Sequence, residues 1–223
     1  MIIVIDGPAG SGKSSTAKAL ASRCNLTFLD SGAIYRAIAL LWLQSDRPDD
    51  KQFTNILSAV DITTHAVDHQ FHVFLRGEDV SNQIRTPIVA GCVSDIAKKP
   101  FVREFVNQYM RDLVQQGAFI ADGRDLGTAV FPNADLKFYM DASVEERARR
   151  RYQELTQSGS EDVKPSFEDV LENVRQRDHT DSHREMDPLK KADDAILIDT
   201  TSLSFEEQIQ IMADHIEKQK HQP

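Results

Sequence analysis

Residues 7 to 14 of this 223-residue chain read Gly7-Pro8-Ala9-Gly10-Ser11-Gly12-Lys13-Ser14, which fits G-x-x-x-x-G-K-[ST]. Glycines let the backbone turn its N–H groups inward around a β-phosphate, and a helix that starts directly afterwards presents its positive end to the same charge. Lys13 would reach the β- and γ-phosphates, Ser14 would offer a hydroxyl to Mg2+, and Ser15 completes the phosphate-binding stretch. An accidental glycine-rich turn is the competing explanation. Against it, "IIVID" before the motif is a short apolar strand, and "SSTAKALASRC" after it sets Ala17, Leu20, Ala21 and Cys24 at helical spacing. The motif is common to ATPases, GTPases and kinases, so hydrolysis, a conformational switch and transfer to an acceptor all stay open.

Three further groups bear on that choice. In "FIADGRD", Asp122 ends a buried apolar run, where an ionised carboxylate needs a partner. Mg2+ beside Ser14, reached through water, is one candidate; a cap on the following helix is the other. Arg124 and Asp125 follow in a tight turn at the same edge, either as site residues or as a weak surface pair with each other. In "SVEERARRRYQEL", Arg147, Arg150 and Arg151 fall at i, i+3 and i+4 and share a helix face. Like charges so placed cost roughly 0.2–0.5 kcal/mol each, a sign that a triphosphate would reverse. Otherwise Glu145, Glu146 and Glu154 simply neutralise the face. In "RQRDHTDSHREMDPL", Arg177, Asp181 and Arg184 lie at i, i+4 and i+7, one stripe of a helix. Spacing alone favours an internal salt-bridge ladder over a sugar-phosphate site. The pair His179 and His183 and the group His65, His69 and His72 lack the Glu or Cys company of a zinc site, so no metal is expected there.

These side chains need elements to hold them. Beyond "IIVID", short apolar runs recur at 26–30, 118–122, 136–140 and 195–199, several ending in an acidic residue and followed by helical periodicity. Ser143-x-x-Glu146 and Ser204-x-x-Glu207 have capping-box spacing, and Gly117 is a suitable stop for a helix over 101–117. Trp42 reads as core packing in a helix. Alternating buried strands and helices indicate a parallel sheet covered on both faces, with ligands beyond the carboxyl ends of its strands. Asp6, Asp30, Asp122 and Asp199 therefore gather near one edge. Residues 61–85 break the alternation with two strand-like runs joined by Asp68 and His69, and Phe71, Val73 and Leu75 alternate as in a half-exposed strand. With 47–60 and 86–97 they form an inserted lobe.

Net charge is −9, which argues against a nucleic-acid polymer as partner. The 26 basic residues are nonetheless 15 Arg and 11 Lys, with Arg clustered at 147–151 and 175–184. That bias suits a small phosphorylated ligand gripped bidentately. No run approaches the roughly 20 apolar residues of a membrane span, and no membrane partner is expected. Cys24 and Cys92, with no C-x-x-C pattern, read as buried free thiols of a cytoplasmic protein.

Taken together, "GPAGSGKSS", "FLDSGAIYRAIAL", "VSDIAKKPFVR", "ADGRDLGTAVFP", "DASVEERARRR", "RDHTDSHREMDPL" and "ADDAILIDTT" resemble the bacterial cytidylate kinase family, in that family's order and spacing from about residue 1 to 205. The resemblance implies an α/β P-loop three-layer fold with a five-stranded parallel sheet. Residues 1–46 and 98–223 would form the core with a helical lid at about 147–165. Residues 47–97 would form the monophosphate-binding lobe with a small antiparallel sheet. It implies transfer of the γ-phosphoryl group of ATP to CMP or dCMP, with Mg2+; a monomer is expected, although nothing in the sequence reads on dimerisation. Carried over by position, Lys13, Arg124, Arg147 and Arg151 would serve the transfer. Ser31 and Arg36 would hold the acceptor, and Ser94, Arg103 and Asp125 would read cytosine. Arg124, Arg177, Asp181 and Arg184 would contact phosphate and ribose. Asp125 can accept from the cytosine amine while Arg103 donates to its acceptors. Uracil would turn an acceptor towards Asp125, a mismatch worth on the order of 10⁴-fold in a dry site. A P-loop kinase for another acceptor such as UMP, and a nucleotide-dependent switch, remain as rivals.

Overall fold

A computed structural model describes residues 1–67, 70–115, 117–157 and 165–220. In chain order these form β1 (Ile2–Asp6), α1 (Lys13–Cys24), β2 (Thr27–Asp30), α2 (Ser31–Gln44) and α3 (Asp50–Ser58). Three short strands follow, β3 (Ile62–Val67), β4 (Gln70–Leu75) and β5 (Glu78–Asp79), then α4 (Pro87–Ala97) and α5 (Pro100–Leu113). The remainder is β6 (Phe119–Asp122), β7 (Leu136–Asp141), α6 (Val144–Gln157), α7 (Phe167–His183), β8 (Ile196–Asp199) and α8 (Phe205–Lys220). No helix among the described residues is long and apolar enough to cross a membrane.

Five strands make one parallel sheet in the order β2-β6-β1-β7-β8. β1 lies at its centre, and Ile3, Val4 and Ile5 are wholly buried, as a strand covered on both faces requires. The chain steps to one side of β1 for β2 and β6 and to the other for β7 and β8. Such a reversal opens a crevice beyond the carboxyl end of the central strand, and the Gly-rich loop leaves β1 at that point. Gly7 has φ +149, and a Cβ there would lie 2.0 Å from the Met140 carbonyl oxygen in β7. Only glycine passes.

Asp6 closes the bottom of this crevice. Its two carboxylate oxygens accept from the backbone N–H groups of Leu126 (2.9 Å) and Gly127 (2.7 Å), which open the π-helical turn Leu126–Val130 after β6. Burial pushes its pKa up to about 6 against the pull of those two bonds.

The antiparallel sheet β3-β4-β5 is the expected insertion, and Phe71, Val73 and Leu75 on β4 are buried in alternation. The expected joint at Asp68 and His69 lies outside the described residues. Phe71 meets Phe28 of β2 edge to face at 6.4 Å, so the two sheets share apolar packing.

Several local expectations need correction. α5 ends at Leu113, with Val114 as its cap, and Gly117 (φ +114) instead supplies the left-handed turn into β6. At α6 only half of the capping box forms: the Glu146 N–H donates to Ser143 Oγ at 3.2 Å. The Glu146 carboxylate is drawn away by Arg149 and Arg150, and the Ser143 N–H goes to Thr201 Oγ1 at 3.0 Å. Ser204 and Glu207 make both halves at α8. Cys24 is buried but Cys92 only half so, and both are free. Trp42 packs against the core from α2 as expected, at its margin, with its indole N–H donating to the Pro48 carbonyl at 3.0 Å.

Asp6→Asn replaces one acceptor with an amide that faces a buried N–H. The expected loss is about 2 kcal/mol of unfolding free energy, read from the denaturant midpoint; an unchanged midpoint would show that the turn does not depend on Asp6.

Candidate active site

The loop between β1 and α1 wraps its own lysine. Lys13 Nζ donates to the Pro8 carbonyl at 2.6 Å and lies 3.2 Å from Ser11 Oγ, and Ser11 Oγ donates to the same carbonyl at 3.1 Å. Burial holds the Lys13 pKa well below its ordinary value, helped by the charge of Arg124 and opposed by Asp122 and Asp6. A polyphosphate is the ligand that would restore it. Gly10 (φ +77) tucks under α6, where a Cβ would sit 2.9 Å from the Arg147 carbonyl oxygen.

Parallel register puts Asp30 beside Asp122 at the carboxyl ends of β2 and β6. Ser14 Oγ donates to one oxygen of Asp122, while the other, Oδ1, is buried with no hydrogen-bond partner. Burial and the Asp30 charge push Asp122 up to about 6. A divalent cation would fit this orphaned oxygen and the Ser14 hydroxyl. Among the described residues no cluster of three or more His, Cys, Asp or Glu is set to hold a metal. Most of a cation's oxygens would therefore have to come from phosphate and water.

Ser31, Arg36, Ser94, Arg103, Arg124, Asp125, Arg177, Asp181 and Arg184 all line one cavity of about 150 Å³, together with Ser14 and Asp122. A neighbouring cavity of about 520 Å³ shares Ser14, Arg36, Arg124 and Arg177 and adds Gly10, Gly12, Ser15 and Arg151. The two spaces meet at Ser14. Within the smaller one, Ser31 Oγ donates to the Asp122 carbonyl at 2.6 Å, and Arg36 pairs with Asp30 at 3.3 Å. Arg103 pairs with Asp125, and Arg184 reaches the other Asp125 oxygen at 2.7 Å. Burial raises the pKa of Asp125 against the pull of both guanidiniums.

Arg124 and Asp125 do not pair with each other: Arg124 Nε donates to Asp181 at 3.0 Å. The ladder expected along α7 is also absent. α7 stops at His183 and Arg184 is already extended, with φ −69 and ψ 146, so Arg184 leaves the helical stripe and pairs with Asp125, while Asp181 pairs with Arg124. Arg177 makes no ion pair among the described residues. Burial lowers its pKa to about 10, and the charges of Arg124, Arg151 and Arg36 add to this against Asp181. Arg36, Arg124 and Arg177 thus converge where the two cavities join, and Arg151 approaches from the larger one.

The arginines of α6 separate. Arg147 is 3% exposed and acts as a strut: it donates to the carbonyls of Ala142 (3.0 Å) and Ala9 (2.9 Å) and pairs with Asp178 at 2.6 Å. Arg150 ties Glu146 to the Thr200 carbonyl. Arg151 lines the larger cavity and pairs with Glu154 at 2.9 Å. α6 lies against the phosphate loop, so the three side chains meet different neighbours. Residues 158–164, the far end of the expected lid, lie outside the described residues. Asp199 is exposed and caps Thr201 at 2.9 Å, away from both cavities.

Other features reach the site unannounced. Asp30 was legible as a strand end but not as the partner of Arg36, and Asp178 and Asp187 carry no spacing signal at all. His179 and His183 stack at 4.1 Å, and His72 pairs with Asp79 at 3.1 Å; His69 lies outside the described residues.

A family model described as cytidylate kinase matches residues 3–218. A cytidylate kinase of Carboxydothermus hydrogenoformans is 43% identical over 209 residues, covering 93% of each chain. One from Pasteurella multocida is 44% identical over 211 residues, covering 94% of this chain and 92% of that one. Among solved structures, an uncharacterized protein from Eubacterium ventriosum superposes with a TM-score of 0.55 at 11% identity, covering 97% and 98% of the two chains. That likeness concerns the fold alone.

Because the folded state binds the Asp122 proton more tightly than the unfolded chain, this group's contribution to stability falls as pH rises from about 4 to about 6, then stays flat. Asp122→Asn is therefore expected to melt above the parent at pH 7.5, with the gap shrinking at pH 4.5. A gap independent of pH would mean that Asp122 is not the strained carboxylate.

Proposed function

The chain belongs to the cytidylate kinase family and, as a member, phosphorylates CMP or dCMP with ATP as donor; we propose that the acceptor enters the 150 Å³ cavity while ATP occupies the phosphate loop and the larger space beside it. The observation that carries this reading is the convergence of Arg36, Arg124 and Arg177 on the junction of the two cavities, with Arg151 facing it from the larger one. Cations crowded at that point are relieved by anions on either side, here an acceptor monophosphate and the γ-phosphate of the donor.

Each residue then has a task. The loop N–H groups and Lys13 grip the β- and γ-phosphates, and the proton-loaded ammonium becomes favourable once they arrive. Ser14 and Asp122 would hold Mg2+, which when bound neutralises charge between the β- and γ-phosphates. Arg36, Arg124 and Arg177 orient the acceptor phosphate, Arg151 meets the donor side, and Arg147 fixes the loop rather than the substrate. Asp181 sits for the ribose. Ser94, Arg103 and Asp125 face the base, where Asp125 accepts from the cytosine amine and Arg103 donates to the ring acceptors. No strong general base is needed, because alignment and charge neutralisation supply most of phosphoryl transfer. Residues 47–97 form the lobe that carries Ser94, and closure of that lobe and of α6 would exclude water. A cytoplasmic monomer is the simplest state for this work.

ADP release from ATP and Mg2+ should rise strongly with CMP or dCMP and little with UMP, AMP or no acceptor. Asp125→Ala should erode the preference over UMP from on the order of 10⁴-fold to tenfold or less. Equal use of UMP by the parent enzyme would sink the cytosine site, and slow acceptor-independent turnover would favour a switch.

A further inference from the structure

We propose that Asp187 is a positioning residue for base selection: by holding Arg103 through Nε, it keeps Arg103 from closing a two-pronged pair on Asp125. The inference rests on the cavity being the acceptor site. Arg103 heads the fully buried side chains by size. Its Nε donates to Asp187 Oδ2 at 3.1 Å, its Nη2 to Asp125, and its Nη1 to the Ala97 carbonyl at 3.4 Å. A guanidinium has five N–H bonds. Two therefore remain, one on each terminal nitrogen, which matches the two adjacent acceptors on cytosine.

Arg184 closes the circuit. Its Nη2 lies 2.7 Å from Asp125 Oδ1, and its Nε donates to the backbone carbonyl of Asp187 at 2.6 Å. Arg103, Asp125, Arg184 and residue 187 thus close a ring in which Asp187 gives its carboxylate to Arg103 and its main-chain carbonyl to Arg184. Asn107 supports it from behind, donating from Nδ2 to Asp187 Oδ2 at 3.3 Å and accepting from the Tyr35 hydroxyl at 3.4 Å. Asp187 holds φ +49 and directly precedes Pro188. Left-handed backbone is unfavourable for a non-glycine residue, and a following proline biases it towards extended conformations. Strain of this kind persists where the surroundings over-determine it.

Arginine and carboxylate prefer a forked, bidentate pair. With Asp187 gone, Arg103 is free to turn a second terminal N–H onto Asp125. That turn displaces Arg184 and consumes one of the two donors and the acceptor that cytosine needs. The phosphate grip at Arg36, Arg124 and Arg177 is not touched. The expected signature is therefore a weakened base contact with the chemistry intact.

Asp187→Ala should raise KM for CMP roughly tenfold and cut the CMP-to-UMP ratio of kcat/KM by a similar factor. KM for ATP and kcat with CMP should stay within about twofold. Asp187→Gly makes the same deletion with a residue at ease in left-handed backbone, so it decides the matter if the alanine variant does not fold. Asp187→Asn keeps an acceptor for Arg103 Nε and tolerates the backbone, and should recover most of the ratio. An unchanged ratio in the folded Ala or Gly variant, or KM values for ATP and CMP rising together, overturns the inference while the parent's own preference for CMP stands. A parent enzyme that takes UMP as readily as CMP removes the acceptor-site reading and this inference with it.

Discussion

Repulsion among guanidiniums is the constraint around which this site is arranged. Arg177 is half-buried within reach of Arg124, Arg151 and Arg36, and its lowered pKa records the cost, desolvation first and like charge after it. A cleft so charged cannot be left to flexible loops. Arg36 is held by Asp30 and Arg124 by Asp181, partners placed by a strand end and a helix, while Arg151 pairs with Glu154 along its own helix. The carboxylates keep the arginines apart without cancelling them, because Arg177 has no ion pair of its own among the described residues.

The acidic strand ends divide the remaining labour. Asp6 faces inward and spends both oxygens on the backbone of the turn after β6. Asp30 caps α2 through the Ala33 N–H and steadies Arg36. Asp122 keeps one oxygen unsatisfied beside Ser14. Register forces Asp30 and Asp122 to be neighbours, so the site carries an electrostatic penalty that an apolar pair would not. Stability surrendered at a functional position is the usual pattern in enzymes.

Much of this was legible from the chain. The strand–loop–helix at residues 2–24 and the acidic strand ends are local patterns that the parallel sheet simply honours. The residues proposed for the acceptor came from motif resemblance, and they line one cavity. What could not be read was pairing. Spacing set Arg177, Asp181 and Arg184 on one stripe, but a helix that stops one residue before Arg184 breaks the stripe, and tertiary partners take over. Arg147, Arg150 and Arg151 share a face by periodicity, yet the phosphate loop packs against only part of that face. Gly117 was a plausible helix stop whose left-handed conformation the next turn needed more. Contacts between distant segments, such as Asp178 with Arg147 or Asp187 with Arg103, leave no periodic trace.

The placement of β1 has a consequence for how the chain is made. Its neighbours are β6 and β7, and β2 pairs only with β6, so Ile2 meets Phe119 and Thr27 meets the same residue. During synthesis the first two strands leave the ribosome without a partner. At typical elongation rates they wait on the order of ten seconds for β6 to appear. Through that interval "IIVI" is an exposed apolar segment with unpaired backbone, suited to capture by a chaperone or by a second nascent copy. The phosphate loop is anchored at one end by β1, which gains its neighbours only once residues 119–122 and 136–141 have been translated.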